Sequence, residues 1–361
     1  MGLAADAGTC PVTLNNSSVP DEVRSDPPPS FSRSRSDPAL GVGERSPKRR
    51  RQTGTTTAVT TVADSLDSQL RAAMFAHLDG LLGASSDGTL RSETINTFSF
   101  DGRSLRLVVQ TGIWKPAGLA AALTIRTTYT PPNALPPYTD EIGDDGFVRY
   151  KYRGTDPNHA DNRAMRAAMS KGVPLAYFVG VDRGVYLPRY PVWLKAEDQL
   201  RHEFVVALDE DQRLFELSAL TAPERAYVAR LTNARLHQPV FRARVLRAYG
   251  ERCAVCRLHH PELLDAAHII PDGEPTGEPI VPNGLSLCKI HHAAYDSDLI
   301  GVRPDLVVDV RPELLLESDG PMLRHGLQEM SGVRLTVPTS RVARPDPDRL
   351  EIRYERFKAA S

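Results

Sequence analysis

The sequence predicts an α+β protein: a disordered tail, a mainly β N-terminal module, and a C-terminal module that carries metal ligands. Three observations support this. The chain has 361 residues, enough for about two domains of ordinary size. Short apolar stretches separated by Pro, Gly and Asp fill its middle. Three of its four cysteines lie between Cys253 and Cys288. We place the segments at 1–62, 63–220 and 221–361.

Composition and charge exclude several classes of protein. The net charge is −1, so a uniformly basic, histone-like protein is excluded, although a locally basic face is not. No run approaches about 18 apolar residues, and the N-terminus lacks the regions of a signal peptide. We therefore expect a cytoplasmic protein with no membrane partner, whose clustered cysteines bind metal rather than form disulfides.

Residues 1–62 are predicted to be a disordered tail. Ser, Thr, Pro, Asp and Arg dominate it, and few large apolar residues offset the entropy lost on ordering. The tail contains a compact basic cluster, Pro47-Lys48-Arg49-Arg50-Arg51. A solvated charge run is the simpler interpretation of this cluster, and contact with phosphates is the alternative.

The segment 63–220 begins with a predicted amphipathic helix and continues as short strands. Leu70, Met74 and Leu78 recur at helical spacing, and the helix is expected to end near Gly83. A second helix is predicted over 162–170. Strands are predicted over 97–100, 105–109, 147–152, 175–181, 185–187 and 203–207. This order predicts a partly open barrel or a curled sheet.

The segment 221–361 is predicted to be richer in helix. Helical patterns cover 224–235 and 240–249. Further along, the pattern predicts strands over 306–310 and 333–337, a helix over 321–330 and a final helix over 347–359. Asp346 is the expected N-cap of that final helix, and Pro347 its first residue.

Four potential metal ligands occur as two spaced pairs. Cys253 and Cys256 form a C-x-x-C knuckle, and Cys288 and His291 form a C-x-x-H knuckle. Two such pairs joined by a loop supply four soft nitrogen and sulfur ligands, which suit tetrahedral Zn²⁺. Three buried cysteines beside an unrelated histidine are the alternative, which the matched spacing disfavours. The sequence therefore predicts a structural zinc site on which this region depends to fold.

A second group of polar residues predicts a catalytic ion site. His292 and Asp296 are four residues apart, so on a helix over 289–298 they share one face. This pair suits Mg²⁺, Mn²⁺ or another divalent ion and leaves positions open for water and substrate. His268, on a strand-like piece, could be the general base that activates water for attack on phosphorus. The amide of Asn283 could orient His268 or tie the loop between the knuckles.

Each of these residues has a simpler interpretation when taken singly. His268 alone would be a hydrogen-bonded structural histidine, and Asp296 a surface carboxylate. Asn283 before Gly284 would be a turn signal. The combined order within the two knuckles favours the functional interpretation.

The stretch from Cys253 to Asp296 resembles an HNH (ββα-metal) nuclease module, in particular the zinc-stabilised kind of McrA-type modification-dependent restriction enzymes. The similarity covers residues 236–340. It includes the segment from Gln238 to Tyr249, which is similar to the one that leads into many bacterial HNH domains. The resemblance implies an endonuclease that hydrolyses DNA phosphodiester bonds. Its cofactors would be a structural Zn²⁺ and a catalytic Mg²⁺, Mn²⁺ or other divalent ion.

The resemblance also implies roles for particular residues. His268 would be the general base, Asn283 the middle residue of the motif, and His292 and Asp296 ligands of the catalytic ion. The chain departs from the usual pattern at Ala267, where an Asp or His ligand is common. Asp265, two positions earlier, is the replacement ligand that the sequence offers. Asp296 stands where many members have a second His.

The N-terminal module is predicted to select the DNA. Basic and aromatic residues alternate there, and Arg and Lys can contact phosphates while rings can stack on an extruded base. Half-buried strand aromatics are the alternative for most of these rings. Segments 147–152, 162–165, 173–175 and 184–186 resemble SRA-type modified-cytosine readers, and a reader of another modification is the alternative. The candidate DNA-binding residues are Trp114, Arg149, Tyr150, Lys151, Tyr152 and Arg153.

These inferences favour a bacterial modification-dependent restriction endonuclease acting on double-stranded DNA of phages, as a monomer or a homodimer. Two other functions stay open. The first is a DNA-binding or repair protein whose HNH fold is a zinc module without cleavage, an interpretation that Ala267 favours. The second is a toxin-like nuclease delivered to competitors, which the missing export signal disfavours.

Overall fold

The computed structural model describes residues 62–131 and 141–360. The predicted tail, apart from Val62, and its basic cluster lie outside the described residues, as does Cys10. The helices are α1 Val62–Gly83, α2 Ser92–Ile95, α3 Ala160–Lys171, α4 Glu210–Leu214, α5 Ala222–Thr232, α6 Gln238–Ala248, α7 Lys289–Asp296, α8 Pro312–Leu316, α9 Pro321–Gly326 and α10 Pro347–Ala360. None of these helices combines the length and apolar character needed to cross a membrane.

The strands described in the N-terminal part are β1 Leu90–Arg91, β2 Ser99–Phe100, β3 Arg103–Ser104, β4 Ile113–Trp114, β5 Thr124–Thr127, β6 Glu141–Ile142, β7 Val148–Lys151, β8 Leu175–Asp182, β9 Val185–Asp198 and β10 Glu203–Ala207. Eight of them form one sheet, with the order β4-β5-β8-β9-β10-β7-β6 and β1 paired to β9. Strands β5 and β8 are parallel, and the other pairs of this sheet are antiparallel. The α+β class and the curled sheet are thus confirmed.

Strand β8 shows how the sheet is covered on both faces. Its Tyr177 and Val179 belong to a core with α3, whereas Ala176 and Phe178 belong to a core with α1. Alternate strand residues point to opposite faces, so a strand buried on both sides reads as one continuous apolar run. That run explains why the sequence identified β8.

Two predicted strands are wrong, because their backbone groups have other partners. In 105–109, the side chain of Asn96 bonds both the N–H and the carbonyl of Val108, so Val108 is satisfied without a neighbouring strand. In 333–337, Leu335 donates to Leu306 and Thr336 donates to Ala254. Only an isolated bridge, between Val307 and Arg334, forms there.

The C-terminal part contains the hairpin of β11 Leu264–His268 and β12 Gly284–Cys288, followed directly by α7. A second hairpin, β13 Ile300–Val302 and β14 Val308–Val310, packs beside it in the same core. Helix α10 contacts β13. The connection of residues 269–283 joins β11 to β12 and is called the hairpin loop below.

Helix α6 belongs to two cores at once. Its Val240 and Ala243 pack with the sheet, whereas Phe241, Val245 and Leu246 pack with the β11–β12 hairpin. A single α-helix can do this because residues on its different faces meet different neighbours. The predicted boundary at 220 therefore lies before a helix that both parts share, and it stays a prediction.

Candidate functional site

The zinc knuckles predicted from the sequence come together in space. The ligand atoms of Cys253, Cys256, Cys288 and His291 all lie within 4.8 Å of one another. Nδ1 of His291 is 3.2 Å from Sγ of Cys288 and 3.5 Å from Sγ of Cys253. Within the described part of the chain, no other set of three or more His, Cys, Asp or Glu ligands converges in this way. Three sulfurs and one imidazole nitrogen fit tetrahedral Zn²⁺.

The surroundings of His291 fix its orientation as a ligand. Its Nε2 lies 2.8 Å from the carbonyl oxygen of Gly326, at the end of α9, which is the kind of partner that orients a metal-binding histidine. Burial opposes the charged imidazole, but hydrogen bonds with Cys253 and Cys288 outweigh burial and raise the pKa of His291 to about 10. Hydrogen bonds from the other two thiols hold the pKa of Cys253 well below its ordinary value. The same coupling raises the pKa of Cys256, so one thiolate and the imidazolium of His291 share the cluster, and a bound cation would take the place of the protons.

A second site lies at the other end of the same hairpin. His268 is the last residue of β11, and His292 and Asp296 lie one turn apart on α7, with 3.2 Å between Nε2 of His292 and Oδ2 of Asp296. These residues share one cleft, called the cleft below. Its lining is His268, Pro271, Asp272, His292, Asp296, Asp298, Arg353 and Arg356. The structure therefore brings the predicted base beside the predicted helical pair.

His268 is held by packing and keeps one nitrogen available. Its ring stacks on Phe241 of α6, with centroids 4.1 Å apart and an interplanar angle of 19°. Its buried Nε2 has no hydrogen-bond partner. Burial lowers the pKa of His268, and this effect outweighs the opposing charge of Asp272. A neutral imidazole with a free nitrogen is the form that can accept a proton.

Gly284 makes the stacking of His268 possible. It pairs with His268 across the hairpin. A Cβ at this position would lie 2.5 Å from Cγ2 of Val245 and 2.9 Å from Cζ of Phe241. The absence of a side chain thus lets α6 approach the hairpin closely enough for Phe241 to reach the histidine.

Two carboxylates flank the imidazole of His292. Asp296 faces Nε2, and Oδ2 of Asp265 lies 3.7 Å from Nδ1. Hydrogen bonding with Asp265 is the main reason that the pKa of His292 is raised. Asp265 also pairs with Lys289 at 2.5 Å and with Arg242 at 3.3 Å. The predicted ion ligands Asp265, His292 and Asp296 are therefore neighbours but do not converge on one point.

The side chains of Ala267 and Asn283 lie in the interior of the protein. Ala267 is fully buried and belongs to the C-terminal core. Asn283 is also fully buried, and its amide bonds both backbone groups of Ile270 and the carbonyl of Glu278. Asn283 thus ties the hairpin loop, one of the two roles expected from the sequence. Its side chain does not line the cleft, and the predicted catalytic role of Asn283 stays a prediction.

Four residues of this region were missed by the sequence prediction. Asp272 and Asp298 lie close to the motif but occur singly, with no spacing that marks them. Arg353 and Arg356 come from α10, far along the chain from the motif. No local pattern could have placed them in the cleft, because a long-range packing contact does so.

The predicted DNA-binding residues of the sheet are mostly engaged within the protein. Tyr150 and Tyr152 are 7% and 3% exposed and belong to the core with α3, so most of their ring surface is covered, and their DNA-binding role stays a prediction. Arg149 and Lys151 both pair with the buried Glu203, and Arg153 pairs with Asp161. Trp114 packs with the core under α1.

The same strands nevertheless border a pocket of about 300 Å³ in the sheet. Tyr150, Tyr152, Gly112 and Ile113 line it. Polar side chains complete the lining: Gln110, Thr111, Arg126, Thr127, Thr128, Lys151 and Arg153. This space is called the sheet pocket below.

Comparison with known proteins finds a nuclease family along part of the C-terminal region. Residues 253–303 match the family described as HNH_2, HNH endonuclease. No curated protein matches the chain. A solved structure titled "Modification dependent TagI restriction endonuclease" matches at 16% identity, covering 69% of this chain and 86% of that chain, with a TM-score of 0.25. The family match confirms the HNH prediction over the motif itself.

Proposed function

We propose that the protein is a divalent-metal-dependent DNA endonuclease whose HNH domain cuts phosphodiester bonds in the cleft. The observation that supports this most is the arrangement of His268, with its free Nε2, in one cleft with the His292–Asp296 pair. The zinc knuckles hold the far end of the same hairpin and so keep this arrangement rigid.

The chemistry follows from the positions of these groups. The nitrogen and oxygen donors of His292 and Asp296 fit Mg²⁺, Mn²⁺ or a similar ion. When bound, such an ion supplies charge neutralisation at the phosphate and the leaving 3′ oxygen. Nε2 of His268 accepts the proton of the attacking water, while Phe241 keeps the ring in place. Asn283 holds the hairpin loop that carries Asp272.

We further propose that the N-terminal sheet makes cutting depend on a DNA modification. The support is the sheet pocket, which is large enough for one nucleobase and offers polar groups to its edge. Restriction of modified phage DNA in the cytoplasm is the corresponding role. Cutting both strands with a single cleft per chain requires two binding events or a symmetric dimer.

The test is plasmid cleavage with Mg²⁺ or Mn²⁺, using plasmid with 5-methylcytosine, 6-methyladenine, phosphorothioate or no modification. We expect wild type to cut one modified form preferentially, and His268→Ala to cut it about 10²–10⁴-fold more slowly while still binding it. His259→Ala, which removes an exposed histidine outside the cleft, is the matched control. Equal cutting by wild type and His268→Ala would refute the mechanism. Binding without cutting by wild type would instead support the zinc-containing DNA-binding protein.

A further inference from the structure

Three arginines lie on one face of α10, turned toward the nuclease domain. Arg349, Arg353 and Arg356 follow one another at helical spacings of four and three residues. Each pairs with a carboxylate of that domain: Arg349 with Glu278, Arg353 with Asp298, and Arg356 with Glu274. This set is called the arginine row below, and it lies outside the segment that matches the HNH family.

Arg353 is the anchor of the row. Its side chain is only 12% exposed and bonds Asp298 at 2.5 Å and the carbonyl of Tyr295 at 2.6 Å. Its guanidinium also lies 4.8 Å from the centroid of the Tyr295 ring. With these contacts made, Arg353 holds α10 against the end of α7 and has little freedom to bind anything else.

Arg356 is more exposed than Arg353, and its partner Glu274 is more exposed than Asp298. Its side chain is 42% exposed, and that of Glu274 is 38% exposed. Two hydrogen bonds, of 3.0 and 2.6 Å, join them. Water screens an exposed pair of this kind, so the pair contributes little to stability and a better anion can replace the carboxylate. Glu274 belongs to the hairpin loop, whereas Arg356 lines the cleft with His268 and His292.

The charge of the cleft makes such an exchange useful. Three carboxylates line it, from Asp272, Asp296 and Asp298, against the two arginines Arg353 and Arg356. Arg353 is already neutralised by Asp298. Of the two arginines that line the cleft, Arg356 is therefore the one whose partner is exposed and exchangeable. A guanidinium binds two phosphate oxygens in the same forked geometry that it now offers to Glu274.

We propose that Arg356 binds a DNA phosphate next to the scissile one, and that Glu274 occupies the phosphate position when DNA is absent. This inference rests on the proposed function, because it takes the cleft as the place where DNA is cut. It makes α10 a part of the substrate-binding surface and makes Glu274 a competitor of the substrate.

The experiment measures DNA affinity and its salt dependence in a His268→Ala background, where cutting is slow enough to leave the binding measurement undisturbed. Arg356→Gln should weaken binding about tenfold and reduce the slope of log K against log salt by about one. Arg356→Lys should restore most of the slope, because a charge returns without the fork. Glu274→Gln should tighten binding by a few-fold, since it removes the competitor. Arg303→Gln is the matched control: Arg303 is 43% exposed, pairs with Asp305 and lies outside the cleft lining.

The two variants of the pair separate phosphate binding from a structural role. If the Arg356–Glu274 pair only held α10, both Arg356→Gln and Glu274→Gln would weaken binding, and both would lower the unfolding temperature. Opposite effects on affinity support the proposal, and effects of the same sign overturn it. An unchanged salt slope in Arg356→Gln also overturns it. Cleavage by wild type is scored separately, so failure of the proposed function is distinguishable from failure of this inference.

Discussion

The two ends of the β11–β12 hairpin show two ways to use a histidine. At one end, Cys288 leads into His291, which is 2% exposed and has a partner on each ring nitrogen. At the other end, His268 lines the cleft, and its Nε2 has no hydrogen-bond partner. His291 and His292 are consecutive residues, yet α7 directs one to the thiols and the other to the cleft. In a structural metal site, protein ligands fill every coordination position of the ion, whereas a catalytic site leaves a position open for water or substrate.

The largest expected effect comes from removing a ligand at the end of the hairpin that carries the zinc knuckles. Cys288→Ala removes one of four ligands, and structural Zn²⁺ contributes on the order of 10 kcal/mol to folding. We expect loss of bound zinc and of the cooperative thermal transition of the C-terminal part. Zinc content by elemental analysis and thermal unfolding followed by circular dichroism check this. A zinc-free variant that kept its full transition would show that packing alone holds this end.

A smaller effect is expected from a substitution at the end of the hairpin that lines the cleft. His292→Ala removes the nitrogen donor from the two predicted ligands of the catalytic ion. We expect this to slow cutting about 10²-fold or more, because metal stabilisation of the transition state amounts to several kcal/mol. Zinc content and unfolding temperature should stay near wild type. His291→Ala is the matched control, since it changes the adjacent residue and should lose zinc. If His292→Ala lost zinc as well, the separation of the two ends would be wrong.

The smallest of these effects concerns the packing behind His268. Gly284→Ala places a Cβ 2.5 Å from Val245, so α6 must shift, at a cost of about 1–3 kcal/mol. We expect a lower unfolding temperature, reduced cutting and unchanged zinc content. Gly80→Ala on α1 is the control, because nothing lies within 4 Å of a Cβ there. Cutting at the wild-type rate by Gly284→Ala would mean that the stacking on Phe241 does not position the base.

The sequence predicted what depends on short spacing. Cys253, Cys256, Cys288 and His291 lie in two local pairs, and the helix that carries His292 and Asp296 follows from its own residues. The strand of His268 was also anticipated. In each case the chemistry and the secondary structure are encoded within a few neighbouring residues.

The contacts that the sequence did not predict are long-range. Gly326 as the partner of His291, Phe241 against His268, and Arg356 in the cleft all depend on how distant helices pack. Long-range packing also determines the surroundings of Tyr150 and Tyr152, whose alternation with basic residues suited a binding surface as well as it suited a buried strand. Periodicity identifies a face of an element but not the neighbour that covers it.

The shared helix α6 sets a rule for anyone who would recombine the two halves of this protein. Cutting the chain just before Cys253 would strip Phe241, Val245 and Leu246 from the hairpin and leave their apolar contacts open to water. Cutting it before α6 would instead remove Val240 and Ala243 from the sheet. A chimera that joins the C-terminal part to a foreign N-terminal domain must therefore include α6. The foreign domain must also provide apolar contacts for the face of α6 that packs on the sheet here.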